Sequence, residues 1–516
     1  MIGKRKPILM GIDVGTQSVR VGFCDAKGKL IYTSSKPYMT FYPKAGWAEQ
    51  KPIDWWNGVS LATKECIKQS NINPFLISGI SFCATSSTIL PVDQNGIPLD
   101  RAILWMDKRA VKEVRDISGV NHKYLKYVGG QDSVEWMVPK ILWLKRNKPN
   151  LYKNSFYIVE ATDWIAFKLT GHWIASQCNA TCKSNYVSRE GGWDKDFFKE
   201  IGLSNVLSKW PTTVMAMGEK IGTLTKNASI ELGIPEGIPI IEGGIDAHVG
   251  FLALNALEPT KLGLIMGSSN VLFNLQNKPI FNEKIWGPYP DAIIKDKWLI
   301  EGGQSSTGSI INWFVEIITQ LQKGNNKSKI NIFKRLDELE DEMYKVAPGS
   351  DGLLTLDYWQ GNRTPRRDPE AKGIIFGLTL AHGVTHILRS FYEGISFGTK
   401  HIIQTFEENG IKIKFVSAGG GGTKSKIWLQ LTADICNKPI SVPYYAEKCG
   451  IIGSAICAAY GSQIYKSFTE AVTNMTSEEK IIYPSNNSIC YNELYKNYLN
   501  LYEKNKDMFL SLENRK

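Results

Sequence analysis

Two stretches with the same plan, about 250 residues apart, constrain the fold of this 516-residue chain more than any other feature. In each, an apolar run leads into a turn of glycine and hydroxyl residues, and a second apolar run follows. The first occupies residues 8–23 with its turn at 15–18, and the second occupies residues 262–273 with its turn at 267–269. Both predict a hairpin of two strands. Either the chain is an internal duplication that holds one nucleotide between its halves, or the two hairpins are unrelated.

Length and composition set the class of protein. A chain of 516 residues exceeds the size at which one hydrophobic core stops growing, so two large domains are expected. Its hydrophobic content of 43% and charged content of 22% are ordinary for a globular protein. The net charge of +11 is carried by scattered Lys and Arg residues. That dispersal favours a solvated basic surface that attracts phosphorylated small molecules, and we expect no nucleic-acid partner.

The cysteines and the apolar runs indicate a cytoplasmic protein. Nine cysteines occur without a close CxxC pair or regular spacing, which predicts neither a disulfide framework nor a zinc site. Cys178 and Cys182 are four residues apart, but no second pair accompanies them. The apolar run near the start is interrupted by Asp13 and is no secretion signal. Because no apolar stretch approaches the ~18 residues needed to cross a bilayer, we expect a soluble protein without a membrane partner.

A single carboxylate stands out in the middle of the chain. Residues 243–250 read Gly-Gly-Ile-Asp-Ala-His-Val-Gly, after an apolar run and before a predicted helix. This arrangement delivers Asp246 through a glycine turn, which is one way in which enzymes mount a catalytic acid or base. The alternative is that Asp246 caps the helix, since Asp is a preferred N-cap residue. We expect His248 to be a packing or turn residue.

The other motifs suit phosphoryl transfer from ATP. This reaction needs amides and hydroxyls around the phosphates, a carboxylate near the metal and a base for the attacking hydroxyl. The two glycine-hydroxyl turns supply phosphate sites, and Asp13 at a strand end can reach Mg²⁺, directly or through water. Asp246 is then available as the base. Residues 417–425 contain four consecutive glycines after a predicted strand at 413–416, which indicates either an adenosine site or only a tight turn.

The motifs together resemble those of the FGGY carbohydrate kinases over about residues 8 to 465. The matching segments are GIDVGTQSVRVG, GWAEQKPIDWW, ILWMDKRA, GGIDAHVG, EGGQSSTGSIINWF, DYWQGNRTPRRDP and GGGGTKSKIWLQLTADI. The resemblance implies an α/β fold of the actin, Hsp70 and sugar kinase superfamily, in which two ribonuclease-H-like domains form a central ATP and sugar cleft. We expect an N-terminal domain at 1–257, a C-terminal domain at 258–470 and a helical tail at 471–516. We also expect an exposed loop at 324–329.

The resemblance also implies roles for individual residues. Asp246 becomes the general base, and Asp13 becomes the residue at the metal. The residues implied at ATP are Thr16, Gln17 and Ser18 at the phosphates, Gly267 and Ser268 opposite them, and Gly421, Gly422 and Ser425 along the adenosine.

Several segments are similar to the ribulokinase branch of the family, including residues 105–110, 133–140 and 178–183. By that similarity Ser86, Lys183 and Glu301 hydrogen-bond the sugar, because a polyol needs paired donors and acceptors. Trp105 and Trp136 belong either to the core or to the sugar pocket. Related kinases often carry Asp at the position of Cys83, so the identity of the sugar stays open.

These observations predict an ATP- and Mg²⁺-dependent kinase for a terminal hydroxyl of a ketopentose, with ribulose favoured. The alternatives are a kinase for another ketose or polyol, such as erythritol, xylulose or a branched pentulose, and a relative that binds sugar or hydrolyses ATP without sugar turnover. We expect a small-molecule sugar or polyol as the partner. Many relatives are dimers, so a homodimer is the oligomer to test for.

Overall fold

The structure is a computed structural model that describes residues 6–323 and 332–513. Its contacts divide the chain into two compact units. Unit 1 comprises the described part of Met1–Leu257 together with Leu275–Ile300 and Lys448–Ser477. Unit 2 comprises Glu258–Asn274 and the described parts of Glu301–Glu447 and Glu478–Lys516. The division at 257, 470 and 516 stays a prediction, and the loop predicted at 324–329 lies outside the described residues.

The described residues form strands β1 to β21. In chain order they are β1 (Ile8–Val14), β2 (Ser18–Asp25), β3 (Leu30–Pro37), β4 (Glu49–Gln50), β5 (Ile77–Ala84), β6 (Ile89–Val92), β7 (Ala102–Ile103), β8 (Tyr157–Glu160), β9 (Ala175–Ser176), β10 (Val214–Met215), β11 (Lys220–Thr223), β12 (Pro239–Ile245), β13 (Lys261–Met266), β14 (Asn270–Gln276), β15 (Trp286–Pro290), β16 (Trp298–Gln304), β17 (Leu354–Leu356), β18 (Ile374–Phe376), β19 (Phe415–Gly419), β20 (Ile440–Pro443) and β21 (Glu478–Ile482).

The α-helices of the described residues are α1 to α16. In chain order they are α1 (Pro52–Ser70), α2 (Val111–Ser118), α3 (Met137–Asn147), α4 (Pro149–Asn154), α5 (Ala161–Thr170), α6 (Gln177–Lys183), α7 (Lys195–Glu200), α8 (Lys226–Leu232), α9 (Asp246–Leu252), α10 (Gly308–Lys323), α11 (Ile332–Lys345), α12 (Val384–Glu408), α13 (Lys426–Cys436), α14 (Cys449–Gly461), α15 (Phe468–Met475) and α16 (Tyr491–Glu513). No described helix is long and apolar enough to cross a membrane.

The main sheet of unit 1 has the strand order β11-β12-β5-β1-β2-β3. Strands β1, β2 and β3 pair antiparallel, which confirms the hairpin predicted at residues 8–23. Strand β1 also pairs parallel with β5, and β5 pairs parallel with β12. Every residue of β1 is buried, as expected for a central strand covered on both faces. This order brings the end of β1 and the end of β12 to the same edge of the sheet.

Helix α14 covers β1 at very short range, because glycine occupies the contact on both sides. A Cβ on Gly11 would lie 2.3 Å from the carbonyl oxygen of Ile451, and a Cβ on Gly450 would lie 3.0 Å from Cγ of Asp13. The helix is buried along nearly its whole length, which matches its apolar sequence on all faces. The close approach places the start of α14 against the end of β1.

Five strands of unit 2 repeat the plan of unit 1. Their order is β21-β20-β19-β13-β14, which corresponds to β11-β12-β5-β1-β2. In both sets the edge strand is antiparallel, three parallel strands follow, and an antiparallel hairpin partner comes next. In each set the hairpin turn is one of the two glycine-hydroxyl turns. The shared plan favours the internal duplication over two unrelated hairpins.

Some local predictions needed correction. Residues 138–144 are helical as expected, but they are all buried, so the helix is not amphipathic there. The strand predicted at 413–416 begins at Phe415. The segment expected as a helical tail also contains β21, because its apolar residues complete the edge of a sheet.

Candidate active site

Asp246 lies at the junction between β12 and α9. Strand β12 ends at Ile245, which occupies the N-cap position, and Asp246 is the first residue of the helix. Its Oδ1 accepts a hydrogen bond of 2.7 Å from the amide of Ala247, the next residue. An N-cap side chain would instead accept from an amide two or three residues further on. The capping interpretation is therefore wrong, and the half-buried carboxylate has capacity for another partner.

The surroundings of Asp246 raise its pKa to about 7. Burial of the carboxylate is the largest cause, and the negative charge of Asp13 adds to it. The amide of Ala247 and the charge of Arg20 act in the opposite direction. A carboxylate with a pKa close to the working pH combines the ionised form with a strong tendency to take up a proton. These are the properties required of a general base.

Asp13 is paired with Arg20 across the first hairpin. The two residues face each other in the β1–β2 register, and Arg20 Nη1 donates to Asp13 Oδ2 over 3.1 Å. Burial nevertheless raises the pKa of Asp13 above its ordinary value, against the effect of Arg20. The Cys83 thiol lies 3.7 Å from Asp13 Oδ1. Arg20 was missed as a site residue, although its place opposite Asp13 in a short hairpin could have indicated the pair.

The 15–18 turn joins β1 to β2 and is braced by side chains from elsewhere in unit 1. Trp105 Nε1 donates to Thr16 Oγ1 over 3.0 Å, and Gln50 Nε2 donates to the Thr16 carbonyl over 2.7 Å. The amide of Tyr38 donates to the carbonyl of Gln17. The Trp105 indole is thus bonded to the turn. Gln17 is exposed at its tip, and Ser18 is half-buried at the start of β2.

The 267–269 turn joins β13 to β14 and is held by the start of α10. The carbonyl of Gly267 accepts from the amide of Gly308 over 3.0 Å and from the hydroxyl of Thr307 over 3.0 Å. The carbonyl of Ser268 accepts from the amide of Thr307 over 2.8 Å and from the hydroxyl of Ser309 over 2.9 Å. The turn is fixed through its carbonyls, while the Ser268 residue itself is exposed.

The glycine-rich turn lies beside the 267–269 turn in unit 2, because β19 pairs parallel with β13. A Cβ on Gly421 would meet nothing within 4 Å, so its backbone faces open space. A Cβ on Gly422 would lie 2.8 Å from both Met266 Cβ and the Trp428 ring. The first glycine therefore leaves room for a ligand, whereas the second is required by packing.

Ser425 begins α13. Its hydroxyl accepts from the amide of Trp428 over 3.2 Å and donates to Glu340 Oε1 over 2.9 Å. The same Glu340 oxygen accepts from the amide of Ile427 over 2.7 Å. Glu340 was missed by sequence reasoning. It lies 85 residues before Ser425, and no local pattern marks it as a cap for this helix.

Lys183 ends α6 inside a group of aromatic rings. Its ammonium lies 5.3 Å from the ring centre of Trp136, 5.1 Å from that of Trp286 and 5.9 Å from that of Tyr289. Residue Lys183 is only 5% exposed. Rings of this kind stabilise a buried cation and offer flat apolar faces to a sugar. Trp136 thus belongs to the surroundings of Lys183.

Ser86 is half-buried in the turn after β5, and that turn is fixed by two buried charged residues. The amide of Ser87 donates to Glu160 Oε2 over 2.6 Å. Burial lowers the pKa of the Lys140 ammonium to about 7. The nitrogen of this ammonium lies within hydrogen-bonding distance of four carbonyl oxygens, which its three N–H groups share: those of Ser87 (2.9 Å), Leu104 (2.7 Å), Trp105 (3.1 Å) and Glu135 (2.7 Å).

Lys140 is therefore a positioning residue that sequence reasoning missed. Its ammonium contacts the carbonyl of Ser87, next to Ser86, and the carbonyls of Leu104 and Trp105. These contacts fix the backbone at two predicted site elements, the Ser86 turn and Trp105. A lysine among apolar residues of α3 was the only available signal. Glu301, the last sugar residue predicted, is buried on β16 in unit 2, while Ser86, Lys183 and Asp246 belong to unit 1.

Comparison with models of protein families identifies the class of protein to which this chain belongs. The model of the FGGY family of carbohydrate kinases, N-terminal domain, matches residues 8–253, and the model of its C-terminal domain matches residues 262–462. Together these matches span most of the chain, so the chain belongs to the FGGY family of carbohydrate kinases. The protein is a carbohydrate kinase, as predicted.

Individual relatives agree over nearly the whole length. An FGGY carbohydrate kinase domain-containing protein from Xenopus laevis is 34% identical, with 96% of both chains covered. A ribulokinase from Geobacillus thermodenitrificans is 30% identical, over 96% of this chain and 94% of the ribulokinase. The crystal structure of a ligand-bound xylulose kinase from Lactobacillus acidophilus superimposes with a TM-score of 0.84 at 21% identity, over 98% of this chain and 100% of that one. The predicted fold class is confirmed.

Proposed function

We propose that this protein transfers the γ-phosphoryl group of ATP to a terminal hydroxyl of a ketopentose, with ribulose as the preferred substrate and Asp246 as the general base. The observation that carries the proposal is the Asp246 carboxylate, half-buried at a strand-to-helix junction with a pKa raised to about 7. Membership of a carbohydrate kinase family supports the reaction class.

The proposed step moves one proton and one phosphoryl group. Asp246 accepts the proton of the sugar hydroxyl as its oxygen attacks the γ-phosphorus. The bond between the γ-phosphorus and the oxygen that bridges it to the β-phosphorus breaks, and ADP leaves with the electron pair of that bond. Protonated Asp246 returns its proton to solvent after release of the sugar phosphate. Because the base contributes in the transition state, its loss should lower kcat more than it weakens sugar binding.

The proposed ATP residues are those that line the three turns. They are Thr16, Gln17 and Ser18 in unit 1, and Gly267, Ser268, Gly421, Gly422 and Ser425 in unit 2. Gly421 fits this role well, because its backbone faces open space. Ser425 already bonds to Glu340, so its contribution is to fix the start of α13.

Asp13 fits a metal site through water better than a direct one. One of its oxygens is already bonded to Arg20, and the Cys83 thiol approaches the other. A carboxylate can accept about four hydrogen bonds, which leaves Asp13 able to bind a water of Mg²⁺. When bound with ATP, Mg²⁺ neutralises charge on the phosphates.

The proposed sugar residues are Ser86, Lys183 and Glu301. Lys183 is buried among three aromatic rings, so its ammonium has a fixed position from which to donate to hydroxyls.

Ribulose is preferred as the substrate because a relative named ribulokinase is 30% identical over 96% of this chain. Xylulose is the second candidate, since a xylulose kinase shares the fold. We also propose a cytoplasmic location, because the spacing of the nine cysteines is not that of a disulfide framework.

A coupled assay of ADP release tests the reaction and the substrate together. The acceptors are D-ribulose, L-ribulose, D-xylulose and erythritol, with water as the blank. We expect one ribulose enantiomer to give the highest kcat/KM. If no acceptor raises ADP release above the water rate, the kinase proposal fails. A higher kcat/KM for xylulose or erythritol would overturn only the choice of sugar.

A further inference from the structure

Helices α6 and α9 bring three metal-binding side chains together within unit 1. Cys178 and Cys182 lie one helical turn apart on α6, and His248 is the third residue of α9. All three residues are buried. One donor atom from each lies within 4.8 Å of the other two, and Cys182 Sγ is 3.5 Å from His248 Nε2. Two thiols and an imidazole at this range are a set of ligands that the kinase reaction does not use.

The spacing of these atoms suits zinc. Bond lengths of about 2.3 Å to sulfur and 2.0 Å to nitrogen, at tetrahedral angles, place a sulfur and a nitrogen about 3.5 Å apart. The distance between Cys182 Sγ and His248 Nε2 already has this value within 0.1 Å or so. Two sulfurs of a zinc site are about 3.8 Å apart, and the three donor atoms of this cluster all lie within 4.8 Å of one another.

The chemistry of the ligands selects a soft cation. Thiolate and imidazole groups prefer Zn²⁺, whereas Mg²⁺ prefers carboxylate oxygens and water. The cluster is therefore chemically distinct from the proposed Mg²⁺ environment at Asp13.

The cluster borders the Asp246 junction on two sides. A Cβ on Gly244 would lie 3.2 Å from the Cys178 sulfur, so this thiol packs against the chain two residues before Asp246. His248 lies two residues after Asp246, on the same helical turn. An ion shared by these side chains would tie the start of α9 to α6, which ends at Lys183.

We propose that Cys178, Cys182 and His248 form a zinc site that fixes the Asp246 junction against α6. Three protein ligands leave a fourth position for water or an added ligand. From the sequence we expected no zinc site, and that expectation was based only on the spacing of the cysteines. The third ligand is a histidine 66 residues after Cys182, which local spacing does not reveal.

Cobalt titration tests the site without any need for enzymatic activity. The protein is stripped with a chelator, kept under a non-thiol reductant and titrated with Co²⁺, whose bonds to thiolates give a charge-transfer absorption. We expect one equivalent to bind, and one equivalent of Zn²⁺ to displace it. Cys178→Ser and Cys182→Ser should each weaken binding by at least about 100-fold. Cys436→Ser, a buried thiol of unit 2, is the matched control and should bind normally.

A second readout tests the effect on the junction. Zn²⁺ should raise the Tm of the unmodified protein and slow hydrogen exchange of the amides at residues 246–252, and neither effect should occur in the two Ser variants. The proposal is overturned if the unmodified protein shows no cobalt–thiolate absorption, or if both Ser variants retain it. It is also overturned if bound zinc leaves exchange at the junction unchanged.

Discussion

The 15–18 turn and the 267–269 turn occupy equivalent places in two sheets of the same plan, yet they are held in different ways. The first is braced by the side chains of Trp105 and Gln50, and Asp13 and Arg20 flank it as an ion pair. The second is held by backbone amides and hydroxyls of residues 307–309 at the start of α10. The two turns therefore differ in charge, because the contacts just named include an ion pair at the 15–18 turn and none at the 267–269 turn.

The comparison suggests that duplicated turns have taken different tasks. The charge of Asp13 raises the pKa of Asp246. If Asp246 is the base, as proposed, the first hairpin affects its chemistry in addition to its proposed contacts with the phosphates. The second turn, by the proposed roles of Gly267 and Ser268, has only neutral groups for the phosphates. Substitutions in the first hairpin should therefore alter rate and pH dependence, and substitutions in the second should alter mainly the affinity for ATP.

Among substitutions at the two turns, Asp13→Asn beside the first turn is expected to have the largest effect on the kinetics. Loss of this charge removes the carboxylate proposed to bind a water of Mg²⁺ and leaves Arg20 without its partner. We expect kcat/KM for ATP to fall by about 100-fold. Steady-state kinetics at saturating sugar provide the measurement, and circular dichroism checks the fold. A loss below threefold would show that the ion pair is irrelevant to catalysis.

The pH dependence should be the next largest effect. The proposed base, Asp246, can accept a proton only when ionised, and its pKa of about 7 lies above the ordinary 3.8. The kcat/KM for sugar should therefore fall about tenfold for each pH unit below pH 7, where the carboxylate becomes protonated. In Asp13→Asn this limb should move to lower pH, because the charge of Asp13 raises the pKa. A flat profile down to about pH 5 would contradict the raised pKa.

A smaller effect is expected for Ser268→Ala in the second turn. The turn is fixed through its carbonyls, so its shape should persist. Loss of one hydroxyl that bonds a phosphate should raise KM for ATP by about fivefold and leave kcat nearly unchanged, since one hydrogen bond contributes about 1 kcal/mol. Initial rates against ATP concentration give both constants. If Ser268→Ala lowered kcat as much as Asp13→Asn does, the proposed difference in task between the two turns would be contradicted.

The smallest kinetic effect is expected for Gly421→Ala, and its neighbour is the control. A methyl group on Gly421 enters open space, so Tm should be unchanged while KM for ATP rises about threefold through contact with the nucleotide. Gly422→Ala would press its methyl group into Met266 and the Trp428 ring, and should lower Tm. Thermal unfolding and ATP kinetics on both variants separate the roles. Equal Tm values for the two would contradict the packing.

The sequence predicted features that depend on neighbours along the chain. The two hairpins and the glycine-rich turn are local patterns, and each was confirmed. The helix predicted after residue 250 instead begins at Asp246 and ends at Leu252. The fold class followed from many short motifs in order. The capping interpretation of Asp246 failed because the junction places Ile245 at the N-cap, a shift of one residue that composition does not decide.

Features that depend on tertiary contacts could not be predicted. Lys140 reads as one polar residue on an amphipathic helix, but the fold buries it among four carbonyls. Glu340 caps α13 from a helix 85 residues away. The cluster of Cys178, Cys182 and His248 likewise combines two helices. In each case the partner is chosen by packing of distant elements, for which one sequence carries no local signal.

The central claim is that Asp246 is the base, and Asp246→Asn tests it most directly. Single-turnover phosphorylation of the best sugar is measured beside the affinities for sugar and ATP. Asp194→Asn serves as the control, because Asp194 caps α7 and Asn caps a helix equally well. We predict a loss of about 1,000-fold in rate with both affinities kept within a few-fold, and a normal rate for the control. An Asp246→Asn enzyme that retains a tenth of the rate would contradict the account.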